Sequence, residues 1–123
     1  MEIAIGIDIG GTNTVIGFVT KDGTCVMEKS TPTTEYVDFA PYLKHISDII
    51  STELTAHPEW KLRGIGIGAP NANYHKGTIE EAPNLSWKGT VHFCKDLAVY
   101  FPGITIAITN DANAAAMGEM IYG

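Results

Sequence analysis

The chain has little positive charge, almost no cysteine and no long hydrophobic run, and each shortage excludes a class of protein. Its 123 residues include 8 lysines and arginines against 14 acidic residues, for a net charge of −6. Nucleic-acid binders and proteins that dock on acidic membranes need a basic surface. No apolar stretch approaches the ~20 residues of a membrane span, and no basic segment precedes the first apolar residues as in a secretory signal. We therefore expect a cytoplasmic protein with neither nucleic acid nor membrane as a partner.

Cysteine is limited to Cys25 and Cys94, whose spacing matches no metal or redox motif. In a chain without a secretory signal, two buried free thiols are expected rather than a disulfide. The four histidines form no zinc-binding pattern such as H-E-x-x-H, so we predict no metal ligand among them.

The sequence does contain apolar patterns that predict a single α/β domain. β-Branched runs predict strands, and apolar residues three and four apart predict helices. Three strands in succession, followed by strand–helix units, indicate a mixed sheet of about five strands, with three leading antiparallel strands and flanking helices. The predicted bounds are strands 2–9, 14–20 and 24–30, helix 38–56, strand 63–69, a small hairpin within 71–84, helix 90–101, strand 104–109 and helix 112–122.

The first strand runs into GIDIGGTN, where an acid and two adjacent glycines interrupt an apolar run. The dinucleotide pattern G-x-G-x-x-G fails because Asp8 stands at its second glycine. The P-loop pattern fails because Thr12 and Asn13 stand where Lys and Ser or Thr are required. Both motifs also need a following helix, whereas a strand follows here. Gly10 and Gly11 are therefore expected at the tip of a β-hairpin.

Two interpretations of that tip remain open from these residues. Glycines expose consecutive backbone N–H groups that can form an anion-binding nest, to which Thr12 and Asn13 would add side-chain donors. Asp8 would then lie within reach of a metal ion held by a bound phosphate. The alternative is an ordinary type I′ turn with no ligand. An uncompensated carboxylate in a core is costly, which shifts the balance toward the first interpretation.

The strand in RGIGIGAPN has glycine at every second position, so Gly64, Gly66 and Gly68 share one face. A face without side chains permits the close approach of either a helix or a ligand, and both remain possible. Asn71 follows this strand at its carboxyl end, where ligands of open α/β sheets usually bind.

Asn110 and Asp111 lie in ITIAITNDANAAAMGEM, where a predicted strand meets an alanine-rich helix. Either residue could cap the helix through its side-chain oxygen. A carboxylate at this edge could instead accept a proton from a substrate hydroxyl, as the base of a phosphoryl transfer does. The helix N-terminus would favour its ionised form. Both roles remain open from this motif alone.

Taken together and in this order, the three stretches resemble the ROK family of sugar kinases. The loop EAPNLSWKG also resembles the family's Asn-Leu-x-x-Trp stretch, and NDANAAAMGE is the most specific match. The resemblance extends from residue 3 to residue 119. It implies an actin/hexokinase-like ATPase domain, which is ribonuclease H-like. It also implies phosphorylation of a hexose by ATP, with glucose as the expected sugar.

On the sugar side, the resemblance implies that Asp111 is the base that accepts the hydroxyl proton. Asn110, Asn84 and Asn71 would contact the sugar. One departure is visible, because Asn71 stands where the family has the glycine of a common Pro-Gly pair. That difference leaves the preferred hexose open.

On the nucleotide side, the resemblance implies ATP and Mg²⁺ at the hairpin. Asp8 would hold Mg²⁺ through water or phosphate. The residues expected to bind the ATP phosphates, together with Asp8, are Gly10, Gly11, Thr12 and Asn13.

Family members are much longer than this chain, so residues 1–123 are expected to form the N-terminal, smaller domain of a two-domain kinase. A Glu-x-Gly-His sugar contact, a structural zinc site and the adenosine-binding glycines would belong to a C-terminal domain, which is the expected partner. The resemblance also implies a homodimer of the full-length protein and little activity of this chain alone. The alternative is a sugar-responsive transcriptional regulator or sugar sensor of the same family. The acidic charge and the first strand starting at Glu2 argue against it.

Overall fold

The structure is a computed structural model that describes residues 1–83, 85–87, 89–112, 115, 116 and 118. Residues 112, 115, 116 and 118 are helical, and we refer to them as the C-terminal helix. The other elements, in chain order, are β1 (Glu2–Ile9), β2 (Asn13–Thr20), β3 (Cys25–Pro32), α1 (Phe39–Ala56), β4 (Lys61–Gly68), β5 (Ala72–Asn73), β6 (Thr78–Glu80), β7 (Thr90–Val91), α2 (Phe93–Ala98) and β8 (Thr105–Thr109).

The main sheet has five strands in the order β3-β2-β1-β4-β8. The first three strands form an antiparallel meander. β4 then pairs with β1 in parallel, and β8 pairs with β4 in parallel. A strand that joins the sheet in parallel needs a crossover connection, and α1 supplies it between β3 and β4, which lies beside β1. The predicted mixed sheet of five strands is confirmed.

One face of this sheet carries the hydrophobic core. β1 alternates so that Ile3, Ile5, Ile7 and Ile9 are all buried on that face. α1 packs into the same core because its apolar residues recur three and four positions apart. Its buried residues are Tyr42, Leu43, Ile46, Ser47 and Ile50.

The opposite face of β1 and β4 is lined by small residues and receives the C-terminal helix. A Cβ added at Gly66 would lie 2.2 Å from the backbone nitrogen of Ala116, and one at Gly68 would lie 2.3 Å from that of Ala112. No real carbon makes contacts so short, so the helix backbone fits only because both positions are glycine. These contacts support helix packing as the reason for glycine at both positions.

The segment between β4 and β8 differs in part from its prediction. The small hairpin is present as β5 and β6, and Gly77 at its turn has a φ of 68°. The predicted helix 90–101 is wrong at its start, where β7 pairs with β6 instead. Only Phe93–Ala98 is assigned as α2. Pairing to a neighbouring strand overrides the periodicity of so short a segment.

Two further findings concern the surface of the domain. Cys25 is exposed and Cys94 is half-buried, so the prediction that both thiols are buried is wrong. Cys25 begins β3, the edge strand, where less of each side chain is covered. None of the helices in the described part of the chain is long and apolar enough to cross a membrane.

Candidate functional site

A cleft of about 650 Å³ runs along the sheet, from Asn110 and Asp111 at the carboxyl end of β8 to Gly23 in the turn between β2 and β3. Its lining includes two glycines and a valine of the hairpin formed by β1 and β2. It also includes polar residues that the sequence assigned to the metal side and to the sugar side. These lining residues are Gly6, Val15, Gly17, Asp8, Asn110 and Asp111. The predicted metal-side carboxylate and the predicted catalytic carboxylate thus share one cleft, although most of the chain separates them.

The strand register explains this proximity. Asp8 on β1 is level with Gly68 on β4, which is level with Thr109 on β8. Adjacent strands lie about 4.8 Å apart, so the backbones of Asp8 and Thr109 are about 10 Å apart across the sheet. Asp111 follows Thr109 by two residues. Both carboxylates therefore reach the same edge of the sheet.

Asp8 is exposed, whereas its neighbours Ile7 and Ile9 are buried. Alternation along the strand directs Asp8 to the cleft while the two isoleucines enter the core. The acid therefore does not interrupt the core. Because its carboxylate remains accessible to water, the high cost of an unpaired buried charge does not arise.

The hairpin tip lies just beyond Asp8. The Gly10 N–H donates to the Asn13 carbonyl at 2.9 Å, and the Thr33 N–H donates to the Thr12 carbonyl at 2.8 Å. No positive-φ glycine of the described chain lies at the tip, so the type I′ turn, which needs positive φ at both central residues, is not formed. Gly10, Thr12 and Asn13 are exposed and Gly11 is half-buried, which leaves the tip accessible to a ligand.

Asp111 occupies the N-cap position of the C-terminal helix. Its carbonyl oxygen accepts a hydrogen bond from the Ala115 N–H at 3.1 Å, a helical i to i+4 bond. Asn110 and Asp111 are both exposed and both line the cleft. The capping position and the ligand-facing position therefore coincide, so the two roles that the sequence left open are compatible.

The packing of the C-terminal helix on Gly68 sets the position of Asn110 and Asp111. Ala112, the first helical residue after Asp111, lies so close to Gly68 that a Cβ there would come within 2.9 Å of the Ala112 Cα. The helix start is therefore held against the end of β4. Asp111 is next in the chain to this contact, so a rigid element fixes its backbone.

Asn71 has a left-handed backbone, with a φ of 55°. Glycine adopts this conformation freely and asparagine tolerates it better than most residues. Asparagine can therefore stand at this position in place of glycine. Its Nδ2 donates to the carbonyl oxygens of Glu80 at 3.0 Å and Glu81 at 3.1 Å, so both side-chain N–H groups are used within the chain. Asn84, the remaining predicted sugar contact, lies outside the described residues.

The cleft is acidic. Asp8, Glu28 and Asp111 line it, and no lysine, arginine or histidine is among the described residues that do so. These carboxylates would repel a polyphosphate unless a cation stood between them. Mg²⁺ is usually held by one or two carboxylates together with phosphate oxygens and water. The donors present at the cleft fit Mg²⁺ in that form, with Asp8 as the carboxylate nearest the hairpin tip in the chain.

A buried group of hydroxyls, not predicted from the sequence, lies behind the tip. Thr14 Oγ1 lies 2.7 Å from Thr33 Oγ1 and 2.7 Å from Tyr42 Oη. All three residues are buried, and burial raises the pKa of the Tyr42 hydroxyl above its usual range. A threonine in an otherwise apolar strand and a tyrosine on the buried stripe of a helix were the signals available.

Comparison with known proteins identifies the family. A model of the ROK family matches residues 4–123. The chain belongs to the ROK family. The glucokinase of Halalkalibacterium halodurans is 34% identical over 122 residues, covering 97% of this chain and 36% of that protein. The xylose repressor of Caldicellulosiruptor bescii is 29% identical, covering 97% of this chain and 30% of the repressor.

A solved ROK structure agrees with the fold. The ROK glucokinase of Streptomyces griseus, in complex with glucose and AMPPNP, is 29% identical with a TM-score of 0.67, and the match covers 98% of this chain and 37% of that one. The predicted actin/hexokinase-like ATPase fold is confirmed. This ROK chain spans little more than a third of the length of the glucokinases that it matches.

Proposed function

We propose that the intact protein containing this chain transfers the γ-phosphoryl group of ATP to a hydroxyl of a hexose, with glucose converted to glucose 6-phosphate. The observation that carries this proposal is that Asp8 and Asp111 line one cleft at the carboxyl edge of the sheet. A phosphoryl transfer needs one group for the cation and phosphate and another for the attacking hydroxyl. Two carboxylates at this spacing supply both.

Asp111 is the proposed catalytic base. The sugar hydroxyl oxygen forms the new bond to the γ-phosphorus, the bond to ADP breaks, and the hydroxyl proton passes to the Asp111 carboxylate. Asn110 would orient the sugar hydroxyls through its side-chain amide, with Asn71 and Asn84 as further sugar contacts. Since little covalent chemistry is required, positioning of the hydroxyl is the main contribution of these side chains.

Asp8 and the hairpin tip are the proposed nucleotide side. Asp8 would hold Mg²⁺ through water or a phosphate oxygen, and Gly10, Gly11, Thr12 and Asn13 would donate to the phosphates. Bound Mg²⁺ would neutralise the phosphate charge that the acidic cleft otherwise repels.

We propose residues 1–123 as the N-terminal domain of this kinase. The cleft is open to solvent in this domain, and closure by a C-terminal domain would exclude water and complete the site. That second domain is the proposed partner of the chain, in a full-length protein that forms a homodimer in the cytoplasm.

The test is Asp111→Asn in the intact protein. We expect kcat for glucose phosphorylation to fall by about 10²- to 10⁴-fold, the usual contribution of a general base, with sugar affinity nearly unchanged. Asp48→Asn is the matched control, because Asp48 is an exposed carboxylate on α1 paired to Lys44, outside the cleft lining. Turnover that Asp111→Asn leaves intact would remove Asp111 from the base role.

A sugar-responsive regulator is the second candidate, favoured by the likeness to the xylose repressor of Caldicellulosiruptor bescii. A regulator requires sugar binding without phosphoryl transfer. Calorimetry with glucose and a coupled assay for ADP on the same intact protein distinguish the two. Binding without ADP release would favour the regulator, whereas sugar-dependent ADP release would favour the kinase.

A further inference from the structure

A chain of buried hydroxyl groups runs from β2 to α1 behind the hairpin tip. Thr14 is the second residue of β2, Tyr42 lies in the first turn of α1, and Thr33 directly follows β3. Thr14 Oγ1 is 2.7 Å from both partner oxygens. The exposed fractions of Thr14, Thr33 and Tyr42 are 0%, 3% and 0%.

Burying these hydroxyls in a core costs free energy unless each one is hydrogen-bonded. A buried hydroxyl stabilises nothing unless it is paired, whereas valine and phenylalanine would fill the same space without that requirement. Thr14 Oγ1 is within hydrogen-bond distance of two hydroxyls at once, so all three hydroxyls of the group have a partner. A fully paired buried network of this kind specifies one arrangement of the elements that it joins.

At one end, the network reaches the hairpin tip. The Thr33 backbone N–H donates to the Thr12 carbonyl at 2.8 Å. Thr14 itself is paired in register with Ile9, the last residue before the tip. The tip is thus held by a backbone bond from Thr33 and by the strand that Thr14 anchors.

At the other end, the network reaches the loop 81–89. The Tyr42 and Trp87 ring centroids are 4.4 Å apart. The Trp87 Nε1–H donates to the Tyr36 carbonyl at 3.3 Å, and Trp87 is only 5% exposed. Tyr42 therefore contacts the tip's network through its hydroxyl and the loop through its ring.

We propose that Tyr42 is a positioning residue that couples the phosphate-binding hairpin to the sugar-side loop 81–89. This inference rests on the proposed function, which assigns ATP to the hairpin and the hexose to the loops. Tyr42 touches neither substrate. It acts by holding Thr14, and through Thr33 the tip, at a fixed distance from Trp87.

The test compares Tyr42→Phe with Ser47→Ala in the intact protein. Tyr42→Phe keeps the ring against Trp87 and removes only the hydroxyl. Ser47→Ala removes an equally buried hydroxyl of α1 that bonds the Leu43 carbonyl within the helix at 2.8 Å. We expect Tyr42→Phe to raise the KM for ATP about fivefold, the factor of one lost hydrogen bond, and Ser47→Ala to leave it unchanged.

A second readout measures the coupling itself. Hydrogen exchange is followed in peptides covering the tip and the loop 81–89, with and without a nonhydrolysable ATP analogue. In the wild type, the analogue should slow exchange in both segments, and in Tyr42→Phe it should slow exchange only at the tip. Thr14→Ser keeps the hydroxyl and should show the wild-type exchange pattern. Thr14→Val removes the hydroxyl and should show the pattern of Tyr42→Phe.

The outcomes separate the inference from the proposed function. A wild-type protein without sugar-dependent ADP release would overturn the proposed function and this inference with it. An active wild type in which Tyr42→Phe matches Ser47→Ala in KM and in exchange would overturn the inference alone. A raised KM for ATP together with loss of loop protection in Tyr42→Phe would support it.

Discussion

At the scale of single residues, Asn71 both adopts a left-handed backbone and anchors a loop through its side chain. Its backbone is left-handed and its side-chain N–H groups bond the carbonyls of Glu80 and Glu81. The sequence pattern predicts Asn71 at the carboxyl end of a strand, and the family resemblance implies a sugar contact there. Neither predicts the anchoring bonds, because those depend on where the chain returns nine residues later.

Replacement of Asn71 should separate these two contributions. Asn71→Ala loses the two bonds and strains the backbone, whereas Asn71→Gly loses only the bonds. We expect Asn71→Ala to be less stable than Asn71→Gly by about 1 kcal/mol, the cost of a left-handed alanine. Denaturant titration of both variants measures this difference, and an equal loss in the two would contradict a strained position.

Tyr42 should make stability sensitive to high pH. Burial raises the pKa of its hydroxyl, whereas in the unfolded chain it ionises near pH 10. The contribution of the protonated Tyr42 hydroxyl to the free energy of unfolding is complete below about pH 10. It is lost as the pH rises from there toward the pKa of Tyr42 in the folded state. Tyr42→Phe should therefore reduce the fall in unfolding free energy above about pH 10, by up to about 1.4 kcal/mol per pH unit.

Denaturant titrations on either side of about pH 10 check this prediction. Tyr74 provides the control, because it is 66% exposed on the small hairpin. Tyr74→Phe should keep the wild-type slope. A Tyr42→Phe variant with the same alkaline slope as Tyr74→Phe would contradict the assigned cause.

At the scale of elements, β4 determines the position of the strand–helix junction that carries Asp111. Gly66 and Gly68 form the surface on which the backbone of the C-terminal helix packs, and that helix begins directly after Asp111. Period-two glycine in the sequence predicted an open face but could not say what would cover it. The helix and the strand are distant in the chain, so only their packing answers that question.

Gly66→Ala should disrupt the packing of the C-terminal helix on β4. The added methyl would lie 2.2 Å from the backbone nitrogen of Ala116, and backbone cannot move as a flexible side chain does. We expect a loss of about 3 kcal/mol or more, at or above the upper end for overpacking. Gly17→Ala is the control, because its Cβ would meet Cys25 Sγ at an ordinary 3.6 Å. Thermal unfolding compares the two, and similar melting temperatures would contradict the close packing.

At the scale of the whole molecule, the cleft is open to solvent. Its lining in this domain includes three carboxylates and small residues, with no cation among the described lining residues. Under the proposed function, closure of a second domain over the cleft would exclude water from Asp8 and Asp111. The open, acidic cleft is therefore consistent with a half-site.

A polypeptide of residues 1–123 alone should show little or no hexose phosphorylation. The physical reason is that the proposed base and metal carboxylate remain in bulk water, where the electrostatic interactions of catalysis are weak. A coupled assay for ADP on this polypeptide and on the intact protein, side by side, measures the difference. Turnover of the short polypeptide comparable to the intact protein would contradict a two-domain site.

The sequence by itself determined the five strands of the main sheet, the main helix and the order of the motifs, because alternation and helical periodicity are local properties of the chain. It also determined that GIDIGGTN is a hairpin, since a strand and not a helix follows the glycines. Tertiary structure alone decided that Asp8 and Asp111 share a cleft, that the glycine face seats a helix, and that Tyr42 joins Thr14 to Trp87. These are contacts between segments far apart in the chain, and strand register and packing fix them.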